Sequence, residues 1–375
     1  MTPLPLALAL LVAAPAEPPR APVVTDAAAI ASGDRHACAV KKDGAVVCWG
    51  DGRFHQAGQV KGRPVTPQDG VVTVRGVDDA VAIAAGYTTT CLMRKSRELV
   101  CLGSRHGGMS DDPYPPLLPV PVTVYPAARW ARSFAVGGVR VAVASAAGEV
   151  DFFAAPTAAP IPAADFEGAV EVAVGWENVC ARDATGGVRC FGPNYGGENG
   201  NGGDGENREP VTVLAPREPT PEVLEHAYAF CRIGDDCHTP LGGAVDLDMF
   251  GRMACAALAD GRVACWGGNG ESSAMNLGKL GFARVPILVP GLRDAVQVEV
   301  GGDFVCARKR GGEVSCWGDN DHGQLGAPGP ARGEPRAVGG IGSAVAISAG
   351  DHHACALDAA GAVRCWGAVA PPRPE

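Results

Sequence analysis

The chain has 375 residues, of which 46% are hydrophobic and 19% charged, with 52 Gly, 31 Pro, 14 Cys and a formal net charge of −9. Such a composition suits short strands and many turns and excludes a disordered chain. The acidic balance argues against a nucleic-acid surface, which needs clustered Lys and Arg, and no apolar run reaches the roughly 20 residues that would span a bilayer.

In chain order, the first element is MTPLPLALALLVAAPA, with an apolar segment from Leu4 to Ala14 followed by Ala14-Pro15-Ala16 as a small-x-small cleavage site. It carries no Lys or Arg at its start. We read residues 1–16 as a signal peptide cleaved near Ala16, which would export the mature protein to the periplasm, the cell surface or the medium. No Cys precedes Cys38, so a lipoprotein anchor is not expected.

From residue 27 onward a unit recurs: an alternating apolar run, a Gly, a polar stretch, Cys, a turn, a second alternating run, and Cys, usually followed by Trp-Gly. The first copy is AIASGDRHACAVKKDGAVVCWG from Ala29 to Gly50. A Cys-x9-Cys pair marks six units: Cys38 with Cys48, Cys91 with Cys101, Cys180 with Cys190, Cys255 with Cys265, Cys306 with Cys316 and Cys355 with Cys365. Period-two runs such as Val-Gln-Val-Glu-Val before Gly301 mark strands with one buried face. Gly44 and Gly361, between the paired cysteines, predict tight hairpins that would bring the two Cys face to face at disulfide distance. The alternative is six pairs of unlinked, buried cysteines.

A third unit, about 130–155, keeps Gly137 but has Ala142 and Phe152 at the two Cys positions. Joint loss is expected if the cysteines act as a bonded pair. With it the count is seven, with pattern glycines at 33, 86, 137, 175, 301 and 350 and Phe250 at the equivalent place in the fifth unit. The long step between the fourth and fifth units implies a loop insertion over 201–243, holding Cys231 and Cys237 as a small disulfide of its own.

Chemical motifs are missing from the sequence. It has no Gly-x-Ser-x-Gly elbow, no His-Glu-x-x-His and no phosphate-binding Gly-x4-Gly-Lys loop, and Cys-x9-Cys is too widely spaced for the usual zinc pairs. Glu198, Asp204 and Glu206 sit in a Gly-rich stretch without calcium-loop spacing. Glu222, Glu225 and His226 read as the solvated face of a short helix. The expectation is a protein that is not an enzyme and has no cofactor, metal or catalytic residue. Tyr195, Tyr228, Phe230 and Phe282 are the candidate contact residues for a partner, since aromatic anchors dominate interface energetics.

Several segments resemble the RCC1 repeat. Gly350-Asp-His-His353 and Gly33-Asp-Arg-His36 match its Gly-x-x-His, and Trp317-Gly-Asp-Asn-Asp-His-Gly-Gln-Leu-Gly326 matches its Trp-Gly-x-Asn and Gly-Gln-Leu-Gly. The resemblance implies an all-β fold, a seven-bladed β-propeller over about 27–370. The paired cysteines depart from the general pattern and resemble an exported bacterial variety with stapled hairpins. His36 and His353 are read as structural, bridging backbone between strands. The implied function is a non-catalytic, exported binding or scaffold protein that presents a rigid rim to a protein or cell-envelope partner, with no nucleic acid, no membrane span and a monomeric state. Alternatives are nucleotide exchange on a small GTPase, the activity for which the family is named, or a carbohydrate-active propeller enzyme, which would need carboxylates converging on the axis.

Overall fold

The computed structural model describes residues 23–104, 117–126, 130–138, 140–154, 161–163, 166–220, 239–268, 282–330 and 332–368. Seven antiparallel sheets follow one another along the chain, spanning 27–73, 80–125, 131–163, 169–212, 244–288, 295–337 and 344–367. They form the blades of a seven-bladed β-propeller. Six blades contain four strands and the seventh three. Val23 and Val24 serve as the missing outer strand of the seventh, through Val23 N–H to Val363 O and Val363 N–H to Val24 O, both 2.8 Å. The two ends of the ring are thereby joined in one sheet, which removes its open edge.

The innermost strands are Ala27–Ser32, Ala80–Ala85, Ala131–Gly137, Ala169–Val174, Ala244–Phe250, Ala295–Val300 and Ala344–Ala349. Each begins with a register shift after its first residue. The second and third strands of each blade form the predicted hairpin. In six blades the paired cysteines lie directly opposite each other across it. Cys38 is bonded to Cys48, Cys91 to Cys101, Cys180 to Cys190, Cys255 to Cys265, Cys306 to Cys316 and Cys355 to Cys365. All twelve are buried, so the reading of them as unlinked core thiols falls away. In the third blade Ala142 pairs with Phe152 in the same register. Gly44 and Gly361 take φ of 94° and 97° in the hairpin turns, the left-handed region that favours glycine.

The core lies between blades. Ala, Val and Cys side chains of one sheet pack on the inner strands of the next, while Trp49, Trp266 and Trp317 are fully buried. The Trp-Gly and Gly-Gln-Leu-Gly motifs are two halves of one joint. Trp366 of blade 7 donates its indole N–H to Gln324 O of blade 6 at 2.8 Å, and Trp266 of blade 5 donates to Glu198 O of blade 4 at 3.1 Å.

The segment read as an insertion, 201–243, contains the outer strand of blade 4, Glu206–Thr212. Beyond it, Ala215 N–H bonds Thr239 O, and Arg217 runs parallel to Ile287 on the outer edge of blade 5. The segment read as a signal peptide, 1–16, and Tyr228, Phe230, Cys231, Cys237 and the Glu222, Glu225 and His226 group lie outside the described residues.

Candidate functional site

The inner strands surround a cavity of about 320 Å³ on the propeller axis. One edge of each inner strand bonds to the second strand of its blade; the other edge, bearing alternate N–H and C=O groups, faces the axis. In part of the ring, side chains from the preceding blade fasten that edge at fixed places. Counting back from the pattern glycine, the residue four before it bonds the N–H three before the next blade's glycine. The residue two before bonds the N–H one before.

Asp246 accepts Val298 N–H and Asp248 accepts Val300 N–H, each at 2.7 Å. Gln297 accepts Ile347 N–H at 3.1 Å and donates to Ile347 O at 3.0 Å. Ser348 accepts Ser32 N–H at 2.6 Å, which carries the rule across the chain ends, and Ser133 accepts Val172 N–H at 3.4 Å.

The same positions gather four carboxyl groups on neighbouring blades: Glu171, Asp246, Asp248 and Glu299. Of these, Asp248 and Glu299 line the axial cavity, while Glu171 lines a separate pocket with Arg182. Burial pushes Asp248 up to about 7 and raises Asp246 and Glu299 well above the usual carboxylate range; the neighbouring carboxyl charges add to the effect. Burial also raises Glu171, against the Arg182 guanidinium 2.6 Å away. The hydrogen bonds to backbone N–H groups give Asp246 and Asp248 a structural task. Among the described residues no group of three His, Cys, Asp or Glu is arranged to hold a metal ion.

One face of the ring carries the loops that follow the inner and third strands. Tyr87 and Trp176 stand exposed there at the mouth of the cavity, and Tyr195 is 64% exposed farther out. The loop bearing Tyr195 lies against blade 5, through Gly202 N–H to Arg284 O at 2.9 Å and Asp204 to Arg284 at 3.0 Å. Phe282 is half-buried in the outer strand of blade 5, beneath the Arg284 guanidinium. Of the contact residues expected from sequence, Tyr195 and Phe282 thus share this region. Glu198, weighed above as an oxygen ligand, is buried and accepts Gly196 N–H at 2.7 Å.

Between blades 6, 7 and 1 the same face has a second cavity of about 660 Å³, lined by Asp34, Asp51, His322 and His352. The His322 and His352 rings stack 4.3 Å apart, and His352 lies 3.1 Å from Asp351. Burial, then the nearby Asp351 carboxyl, pushes Asp34 up to about 7. His36 and His353 are fully buried. His36 bonds the Thr90 hydroxyl of blade 2 at 2.8 Å, a side-chain rather than a backbone partner.

Three segments match models of the regulator of chromosome condensation (RCC1) repeat: 27–56, 295–324 and 311–357. No curated protein matches the chain. Among solved structures, Prp20p from Saccharomyces cerevisiae is similar at 13% identity, over 90% of this chain and 81% of that one, with a TM-score of 0.66; that structure was described together with its binding properties to Gsp1p and histones. Human WBSCR16 is similar at 15% identity, over 92% and 87% of the two chains, with a TM-score of 0.65. The CRINKLY WD40 ectodomain of the Arabidopsis thaliana receptor kinase ACR4 is similar at 17% identity, over 94% and 98%, with a TM-score of 0.51. At these identities the likeness is one of fold.

Proposed function

Because the chain belongs to the RCC1-like β-propellers, a family mainly of binding and regulatory proteins, we propose that it is an exported, non-catalytic binding protein that holds a protein or envelope partner on its loop-bearing face. The observation that carries this reading is the set of six buried disulfides, one in each of six blades. Such bonds persist in oxidising compartments and are rare in reducing ones. Exposed Tyr87, Trp176 and Tyr195 supply rigid aromatic anchors on one face. Asp246 and Asp248 are engaged in holding blade 5 to blade 6, which favours binding over hydrolysis.

The test is the intact mass of the native protein in each cell fraction, alkylated without reduction. The expected species is an exported chain beginning near Glu17 that takes up no alkyl groups. A full-length cytosolic chain with alkylated cysteines would overturn the proposal and make a small GTPase the first partner to assay. A photocrosslinker in place of Trp176 should capture the partner in intact cells, whereas one at Val345, on the opposite face, should not.

A further inference from the structure

Alanine, which cannot fasten the next blade, stands at one of the two places in blades 3, 4 and 7, as Ala135, Ala173 and Ala346, and at both places in one arc of the ring, blades 1 and 2. Ala29 and Ala31 of blade 1 occupy the places from which a side chain would reach Ile83 and Ala85, and Ala82 and Ala84 of blade 2 stand likewise before Phe134 and Val136. The alternation of an antiparallel pair fixes where those backbone groups point. Gly86 N–H bonds Thr89 O at 2.9 Å, so the next bonded pair is Ala84 with Cys91. The N–H and C=O of Ile83 and Ala85 are left facing the axis. Among the described residues no side chain bonds them, and Ala29, Ala31, Ile83, Ala85, Phe134 and Val136 all line the axial cavity.

We propose that this arc binds a small molecule bearing a carboxamide or peptide group, docked on Ile83 and Ala85 as Gln297 docks on Ile347. That internal pair is the chemical precedent: one planar amide accepts the N–H and donates to the C=O of the same edge residue. A free carboxylate would satisfy only the N–H groups and would face Asp248 and Glu299 across the cavity; an ammonium would satisfy only the C=O groups. A neutral amide serves both, and the flat side chains of Tyr87 and Trp176 cover the mouth. At about 30 Å³ per water, the cavity has room for on the order of ten waters, or one ligand with a comparable number of heavy atoms.

The test uses isotope-labelled full-length protein titrated with N-acetylglycinamide, with sodium acetate as the comparison. The expected result is saturable shifts of the Ile83, Ala85, Phe134 and Val136 amide signals with the amide probe and little change with acetate. Ala29→Gln installs the protein's own cap over Ile83 and should weaken probe binding by at least about tenfold without lowering the melting temperature. Ala31→Asp, which copies the Asp248 arrangement, tests the Ala85 position should Ala29→Gln fail to fold. An arc that holds only water would give no saturable shifts, and that result, or shifts unchanged in both variants, would overturn the proposal.

Discussion

Arg97 stands where six other hairpins have glycine. Its φ is 69°, against 83° to 97° for Gly44, Gly148, Gly186, Gly261, Gly312 and Gly361. Each makes the same turn contact, as in Arg97 N–H to Arg94 O and Gly44 N–H to Lys41 O. A side chain in the left-handed region costs on the order of 1–2 kcal/mol, while glycine adds freedom to the unfolded chain. Arg97→Gly should therefore raise stability by up to about 1 kcal/mol in denaturant unfolding; a loss would show that Arg97 has a role the turn geometry does not explain. The pattern glycines answer to a different constraint, close approach. A Cβ on Gly33 would lie 2.3 Å from Gly86 O of the next blade and 2.2 Å from the His36 ring. These residues could be picked from the sequence because each repeat asks the same thing of them. The Thr90 partner of His36 could not, since it comes from another blade.

The hairpin is the element the cysteines act on. Closing a loop of about ten residues stabilises by roughly 2 to 3 kcal/mol through the unfolded state, and six such bonds compare with the net stability of a typical domain, about 5–15 kcal/mol. Complete reduction and alkylation is expected to lower the melting temperature by tens of degrees in calorimetry; an unchanged curve would refute the staple argument. Blade 3 has no staple. Phe152 fills the Cys position and meets Phe191 of blade 4 edge-on at 6.5 Å, with the Arg140 guanidinium 5.7 Å from its ring centre. The joint loss of both cysteines was legible because Ala142 and Phe152 keep the spacing. The outer strand inside 201–243 was not, because Glu206–Thr212 has no buried residue and no alternation of exposure.

At the scale of the ring, the buried carboxyls couple assembly to pH. Burial raises the folded-state pKa of Asp34 and Asp248 to about 7 and lifts Glu171, Asp246 and Glu299 as well. A raised carboxyl keeps its proton in the folded chain after the unfolded chain has lost it. Its stabilising effect is full below the unfolded value near 4 and is lost as pH rises through the folded value. His36 and His353 act in the opposite sense. Burial lowers them to about 4 and about 3, so stability falls as the unfolded chain takes up protons below about 6.5. Five carboxyls against two imidazoles give a net gain on acidification from pH 8 to about 5, followed by a decline at lower pH. Asp248→Asn, which keeps an oxygen for Val300 N–H, should flatten the rise in melting temperature. A melting temperature that climbs with pH between 5 and 8 would contradict the assignment.

Local patterns were enough to determine the repeat, the hairpins and the facing Cys positions, because each depends on residues within about twenty positions of one another, and recurrence along the chain gave the count of seven. The closing strand at Val23–Val24, the gathering of Glu171, Asp246, Asp248 and Glu299 on neighbouring blades, and the uncapped arc at blades 1 to 3 were decided only by the tertiary structure. Each joins residues on different blades, and the ring geometry that brings those blades together is not written in the spacing within any single repeat.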